Sequence, residues 1–195
     1  MTAADRDRLA GIFDRAAAVY DTVEPRFFRD IARGLVSRTR LDPGARVLDV
    51  ATGPGVVLGE IGRAGPPGVC LVGVDISAGM VREARARLSA QGIPAHVLLM
   101  DAEHLGLADA GFDLVAMSRA YPLPQRRAML SEVRRVLPPG AGCTGVPSCS
   151  TAAERGPRDA DLARRSPACS RRGAKGVPPQ PAIRIHVRAA KRQRY

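Results

Sequence analysis

The stretch RVLDVATGPG (46–55) combines an apolar run, an acid and a glycine loop, as many nucleotide-binding sites do. Gly53 and Gly55 allow the backbone to approach a ligand closely, because glycine has no Cβ. No Gly-Lys-Ser/Thr follows, and Gly59 falls one residue late for a dinucleotide fingerprint. The carboxylate of Asp49 is an unfavourable neighbour for a pyrophosphate and a favourable one for a cation. The loop therefore favours a cofactor that carries positive charge and no phosphate.

The sequence allows two roles for Asp49. In the first, its carboxylate stabilises a cationic ligand held by the glycine loop. In the second, the carboxylate is structural and braces the loop by accepting hydrogen bonds from backbone N–H groups. The residue type and its position fit both roles, so both are kept as hypotheses.

Four short apolar runs alternate with helix-like segments in the middle of the chain. The runs are rich in Val and Leu, which is typical of parallel strands buried on both faces. Strands that alternate with helices indicate right-handed βαβ units. We predict an α/β fold, a Rossmann-like open and mainly parallel sheet with helices on both faces. The predicted strands lie in residues 46–51, 69–75, 95–101 and 112–118.

Two of the intervening segments are clear helix candidates. Ser77 is placed to N-cap the first, which is followed by apolar residues at helical spacing. The second covers residues 125–137 and is ended by the Pro-Pro-Gly turn at 138–140. The predicted apolar faces are Met80, Val81, Ala84 and Leu88 in the first helix, and Met129, Val133, Val136 and Leu137 in the second.

The residues before the first strand predict two further helices that cover the sheet edge or the ligand cleft. Plain core packing explains their apolar side chains equally well. We divide the chain into an N-terminal helical cap (1–42), a cofactor-binding core (43–140) and a basic tail rich in Pro, Gly and Arg (141–195). The apolar positions are Ile12, Phe13, Ala16, Ala17 and Tyr20, then Phe27, Phe28, Ile31 and Leu35.

Five segments, in order and spacing, resemble the class I S-adenosylmethionine (SAM)-dependent methyltransferases, in particular the ubiquinone/menaquinone-type small-molecule group. Asp49-x-Ala51-x-Gly53-x-Gly55 resembles motif I of that family, with alanine at the usual first glycine. The resemblance implies SAM as cofactor and S-adenosylhomocysteine (SAH) as product. The other four segments are FDRAAAVYD (13–21), VGVDISAGMVREARARL (72–88), LLMDAEHLGLADAGFDLVAMS (98–118) and LSEVRRVLPPG (130–140).

The resemblance also implies which residues contact the cofactor. It places Asp75 at the ribose hydroxyls, Asp101 and Ala102 at the adenine, and Tyr20 near the SAM carboxylate. A purely structural role is the alternative for Asp75. The full set of implied cofactor-binding residues is Tyr20, Asp49, Ala51, Thr52, Gly53, Gly55, Asp75, Ile76, Met80, Asp101, Ala102 and Ser118.

No catalytic motif stands out, and the chemistry does not require one. Methyl transfer from a sulfonium depends largely on aligning the acceptor with the methyl–sulfur axis. His104 is a weak candidate for a general base, although an exposed loop histidine is the commoner explanation. Tyr121 is a weak candidate for the acceptor site. We expect a small-molecule acceptor and no metal, since no Cys-x-x-Cys pair is present.

Positive charge is concentrated in the tail. The chain carries a net charge of +11, and residues 141–195 hold 12 Lys and Arg against 3 Asp and Glu. Tyr195 is the only aromatic there, whereas single-strand binding sites interleave aromatics with charge. We expect no nucleic-acid partner, with an RNA-associated methyltransferase as the alternative. The absence of an apolar run of about 18 residues predicts no membrane span, and the charged N-terminus favours a cytoplasmic protein.

The strand and helix pattern stops near Gly140. The resemblance implies further strands there, but AGCTGV (141–146) has little bulk and is a poor strand candidate. The chain has 28 Arg and only 2 Lys, both in the tail, so we hypothesise a GC-rich coding sequence read in another frame beyond residue 140. We expect a sheet truncated after strand four or five, with an unpaired strand-four edge prone to aggregation. Impaired methyl transfer, or a non-catalytic SAM-binding remnant, would follow.

Overall fold

A computed structural model describes residues 2–20, 25–117, 126–139 and 142–145. Its centre is a five-stranded parallel sheet with strand order β3-β2-β1-β4-β5. The strands are β1 (Arg46–Val50), β2 (Cys70–Asp75), β3 (His96–Leu99), β4 (Leu114–Met117) and β5 (Gly142–Gly145). The helices are α1 (Ala3–Ala16), α2 (Pro25–Ser37), α3 (Val56–Ala64), α4 (Ala78–Ala90) and α5 (Arg126–Val136).

Helices cover both faces of the sheet, which confirms the predicted fold class. On one face, Val47 of β1 belongs to a buried cluster with residues of α2, α3 and α4. On the other, Leu48 and Val50 belong to a cluster with α5 and with the connection between β3 and β4. Successive residues of β1 alternate between these clusters because side chains alternate across a strand. Both faces of β1 are therefore buried, as its continuous apolar run predicts.

The predicted helix boundaries are also confirmed for α4 and α5. The Ser77 hydroxyl accepts a hydrogen bond from the Met80 N–H at 3.1 Å and so caps α4. All four residues of the predicted α4 face are buried. On α5, Met129, Val133 and Val136 are buried as predicted. Cys70 is buried in β2, where burial raises the pKa of its thiol and favours an unreactive form.

The expectation that β4 has no credible partner was wrong. β5 pairs with β4 in parallel, from Leu114 opposite Gly142 to Met117 opposite Gly145. Parallel pairing uses backbone N–H and C=O groups, so a segment of low β-propensity can be held in place by its neighbours. β5 falls within the predicted tail, and the division of the chain into three regions stays a prediction. The rest of that tail lies outside the described residues.

The two predicted N-terminal helices are present as α1 and α2, but α1 is not an apolar helix. It contains no buried residue, and Ile12, predicted on its apolar face, is 46% exposed. Polar contacts described below hold it in place instead. The side chains of Phe27 and Phe28 lie outside the described part of the structure. No helix within the described ranges is long and apolar enough to cross a membrane.

Candidate functional site

Most of the predicted cofactor-binding residues lie at or just beyond the carboxyl ends of β1, β2 and β3. In an open α/β sheet, ligands bind at this edge, next to the point where the strand order reverses. The order β3-β2-β1-β4-β5 places that point between β1 and β4. The loop after β1, the turn at 75–77 and the turn at 101–104 therefore converge beside it. These three segments lie along one edge of the sheet, which we call the rim.

The loop after β1 is built from residues in the left-handed backbone region. Ala51, Gly53 and Gly55 have φ angles of 55°, 53° and 76°. A Cβ added at Gly53 would find no atom within 4 Å, so the space above this residue is open. The Thr52 N–H donates to the carbonyl of Val74, which ties the loop to β2. The loop therefore presents bare backbone toward open space, the arrangement a closely held ligand needs.

Asp49 lies beneath this loop with no exposed surface. Its Oδ2 accepts a hydrogen bond from the Thr52 hydroxyl at 2.7 Å, and its Oδ1 has no hydrogen-bond partner among the residues that the structure describes. Burial raises the pKa of Asp49 to about 7, the Thr52 hydroxyl opposes this, and the charge of Asp75 adds to it. Asp49 therefore braces the loop through a hydroxyl group and not through backbone N–H groups. Its second carboxyl oxygen is still able to accept a hydrogen bond.

Asp75 connects the glycine loop to the start of α4. Its Oδ2 accepts from the Gly53 N–H at 2.8 Å, and its Oδ1 accepts from the Ser77 N–H at 3.0 Å. Burial raises its pKa in spite of these hydrogen bonds. Each carboxylate oxygen can accept a second hydrogen bond, so ribose hydroxyls could still bind here. Next to it, Ile76 is half-buried, and Met80 is buried in α4.

Asp101 lies in the turn after β3 and is held by three groups. Its Oδ1 accepts from the Glu103 N–H at 2.9 Å, and its Oδ2 accepts from Arg6 at 2.9 Å, with His104 at 3.5 Å. Burial alone would raise its pKa, but these donors outweigh burial and lower it. Ala102, half-buried, packs against the cluster that contains Leu48.

Three side chains of this turn could approach a metal ion together. The ligand atoms of Asp101, Glu103 and His104 lie within 4.8 Å of one another. Arg6 already occupies one Asp101 oxygen, and the side chain of His104 is 72% exposed. This arrangement argues for an ion-paired turn, and the absence of a metal stays a prediction.

Helix α1 contributes two site residues that the sequence analysis missed. Asp14 accepts hydrogen bonds from the Ser77 hydroxyl at 2.6 Å and from the Gly79 N–H at 2.7 Å. Arg6 pairs with Asp101, so α1 bridges the end of β2 to the end of β3. The available signal was their spacing, because positions eight apart lie on one face of a helix. A Cβ at Gly79 would lie 3.0 Å from Ala17 Cβ, so glycine permits this close docking.

Three further residues predicted at the site are Tyr20, Ser118 and Tyr121. Tyr20 is half-buried, and its ring lies edge-on to Phe13 with 6.3 Å between centroids. Its predicted contact with the cofactor carboxylate stays a prediction. Ser118 and Tyr121 lie outside the described residues.

Comparison with known proteins supports the same domain. Residues 47–140 match the family model described as a methyltransferase domain. The chain is 35% identical over 138 residues to nocamycin O-methyltransferase of Saccharothrix syringae, covering 69% of this chain and 49% of that protein. It is 33% identical over 139 residues to a ubiquinone/menaquinone biosynthesis C-methyltransferase of Cupriavidus pinatubonensis, covering 68% and 57%. The chain thus spans about half the length of both relatives.

A solved structure shows the same architecture. It is described as a complex between the Haloferax volcanii Trm112 methyltransferase activator and a methyltransferase, and it aligns with a TM-score of 0.61. Identity is 27%, with 68% of this chain and 58% of that chain covered. With the family match and the glycine loop between Asp49 and Asp75, this similarity identifies the chain as a member of the class I SAM-dependent methyltransferases, whose cofactor is SAM.

Proposed function

We propose that the protein transfers a methyl group from SAM to a small-molecule acceptor. The observation that carries this proposal is the rim itself, in which a left-handed glycine loop lies between two buried acids at the switch point of the sheet. The two relatives reported above, an O-methyltransferase and a C-methyltransferase, support a small-molecule acceptor.

The residues present fit SAM in three respects. Open space above Gly53 admits a ligand against the backbone. Asp75 retains acceptor capacity for the ribose, and Asp101 and Ala102 lie at the neighbouring strand end for the adenine. The unpartnered Oδ1 of Asp49 suits a ligand with positive charge and no phosphate. We assign these five residues, with Gly55, as the central part of the cofactor site.

When bound, SAM supplies an electrophilic methyl group on a sulfonium. The chain's own part is then to hold the cofactor at the rim and to orient the acceptor toward it. Asp75 fixes both the loop and the α4 turn, so it positions the two sides of the site together. His104 and Tyr121 remain the proposed, weakly supported candidates for a base and for the acceptor site.

Calorimetry with SAM and SAH on the full chain tests the cofactor assignment. We expect Asp75→Ala to weaken SAM binding by tenfold or more, on the order of one charge-assisted hydrogen bond lost. Asp113→Asn, at the opposite end of the sheet, is the matched control and should bind SAM normally. Thermal unfolding of both variants separates a lost ligand contact from a lost fold. Normal SAM binding by Asp75→Ala would contradict the assignment.

A transfer assay with labelled methyl groups tests the reaction. Phenols and quinols are suitable first acceptors, because O- and C-methylation of such compounds can be separated by product analysis. Labelled product with any small acceptor supports the proposal. SAM binding without transfer to any acceptor would favour the non-catalytic alternative.

The RNA-associated alternative needs a deletion that spares the sheet. β5 ends at Gly145, so the deletion should remove residues 146–195 and leave β5 in place. Loss of salt-dependent RNA binding in the deleted protein would support that alternative. We expect no RNA binding before or after the deletion.

A further inference from the structure

Asp49 is set in the centre of the sheet between the two smallest neighbours the register offers. Its Cα partners are Gly73 on β2 and Ala116 on β4. The side chain has no exposed surface, and among the described residues only the Thr52 hydroxyl binds it. The other carboxyl oxygen, Oδ1, has no hydrogen-bond partner in this part of the chain. A buried carboxylate in this position has lost its water and gained a single hydrogen bond in exchange.

No cation compensates the charge of Asp49 within the described residues. The charged group that acts on it is Asp75 on β2, which has the same sign. Behind Asp75 lies a third acid, Asp14 of α1. The ionised form of Asp49 is therefore opposed by burial and by its nearest charged neighbour.

Several charged side chains of the helices on this face are engaged with other groups. On α3, Glu60 pairs with Arg63 at 2.9 Å, and Arg33 of α2 approaches it at 3.7 Å. On α4, Arg85 donates to the carbonyl of Val97, and Arg82 acts on Asp14. None of these contacts brings a positive charge to Asp49, and the glycine loop is where a ligand would bring one.

We infer that Asp49 gives up a proton when SAM binds at the glycine loop, and that its negative charge then selects the sulfonium cofactor over the neutral-sulfur product. This inference rests on the proposed function. The step breaks the carboxyl O–H bond of Asp49, and the proton passes to the buffer. The sulfonium does not have to touch the carboxylate, because charges interact strongly across a poorly solvated interior.

A pH-dependent affinity follows from this coupling. The pKa of Asp49, raised by burial to about 7, makes the acid mostly protonated at pH 6 and mostly ionised at pH 8. If SAM binds the ionised form, its apparent affinity should rise about tenfold across this range. SAH has no sulfonium charge and should show a smaller rise.

The experiment is isothermal titration calorimetry of the full chain with SAM and SAH at pH 6, 7 and 8. Two buffers of different ionisation enthalpy give the number of protons released. The amine of the ligand also titrates near pH 8, so the diagnostic quantity is the difference between wild type and Asp49→Asn. The matched control is Asp113→Asn, the same change at the other end of the sheet.

We expect the ratio of the SAM Kd at pH 6 to that at pH 8 to be about tenfold larger in wild type than in Asp49→Asn. Asp113→Asn should keep the wild-type ratio. Proton release by the wild type is measured without any variant, so a misfolded Asp49→Asn does not remove the test. Wild-type SAM binding with no proton release and an unchanged Kd would overturn the inference alone. Absence of SAM binding at every pH would overturn the proposed function, and the inference with it.

Discussion

The two ends of the central strands carry acids in opposite circumstances. At the amino end, Asp113 accepts from the backbone N–H of Arg46 at 2.8 Å and from its guanidinium at 3.0 and 3.2 Å. At the carboxyl end, Asp49 has one hydrogen bond and an unused oxygen. The donors of Arg46 outweigh burial and lower the pKa of Asp113, whereas burial raises that of Asp49. One acid stabilises the fold, and the other is kept at a cost to stability, which is typical of functional sites.

The largest expected effect comes from neutralising the buried acid. Because the pKa of Asp49 rises on folding from 3.8 to about 7, the folded state holds its proton more tightly, and stability falls as the pH rises between these values. Between pH 5 and 8 this amounts to a few kcal/mol, since one pKa unit corresponds to roughly 1.4 kcal/mol. Asp49→Asn has no carboxyl group to titrate here and should lack this loss. The free energy of unfolding of the variant, relative to that of wild type, should therefore increase by that amount from pH 5 to pH 8. Urea unfolding at both pH values measures it, and a pH-independent difference would show that Asp49 does not titrate there.

The same substitution at the other end should act with the opposite sign. Asp113→Asn removes the charge that pairs with Arg46 and should cost about 1 kcal/mol at pH 7. Because the pKa of Asp113 is lowered by folding, this stability is present above pH 3.8 and is lost as the pH falls through the folded value. The measurement is urea unfolding at pH 7 and near pH 3. A deficit that grows in acid would refute the pairing argument.

Part of the fold and of the site can be predicted from the sequence, and part cannot. The strand–helix alternation and the Ser77 cap are local patterns, and the structure confirms them. The role of α1 was missed because Arg6 and Asp14 meet partners 95 and 63 residues away. The segment of β5 is a poor strand candidate on its own residues, because its pairing is made by the backbone against β4. Long-range polar contacts and the pairing of edge strands cannot be predicted from the local composition of the sequence.

A smaller effect is expected at the loop. Ala51 has a φ angle of 55°, a backbone region that disfavours a Cβ. Ala51→Gly should relieve this strain and raise stability by about 1 kcal/mol, which thermal unfolding can measure. Glycine also widens the freedom of the unfolded chain, so the gain is bounded. Ala110, the other non-glycine residue with a positive φ, provides a comparison away from the site. A loss of stability in Ala51→Gly alone would show that the alanine is favourable in this loop.

The smallest effect is expected where α1 meets the rim. The Arg6 side chain is one-third exposed, so Arg6→Ala should cost about 0.5 kcal/mol or less. Hydrogen exchange should nevertheless quicken in α1, because the pair joins it to the turn at Asp101. The control is Arg8→Ala, because Arg8 lies two residues further along α1 and is exposed. Equal exchange in both variants would place the anchoring of α1 at Asp14 alone.

The all-parallel register also governs the order in which this molecule can assemble. Parallel strands are joined by crossover connections and not by hairpins, so each pairing brings together residues that are far apart in sequence. Such contacts form slowly. β1 closes against β4 with Arg46 and Asp113 67 residues apart. The glycine loop follows β1 and is tied to β2 by the Thr52 N–H, so we expect it to take shape when these two strands have paired. A ligand of that loop would then report on this pairing, and its rate of capture during refolding would time it.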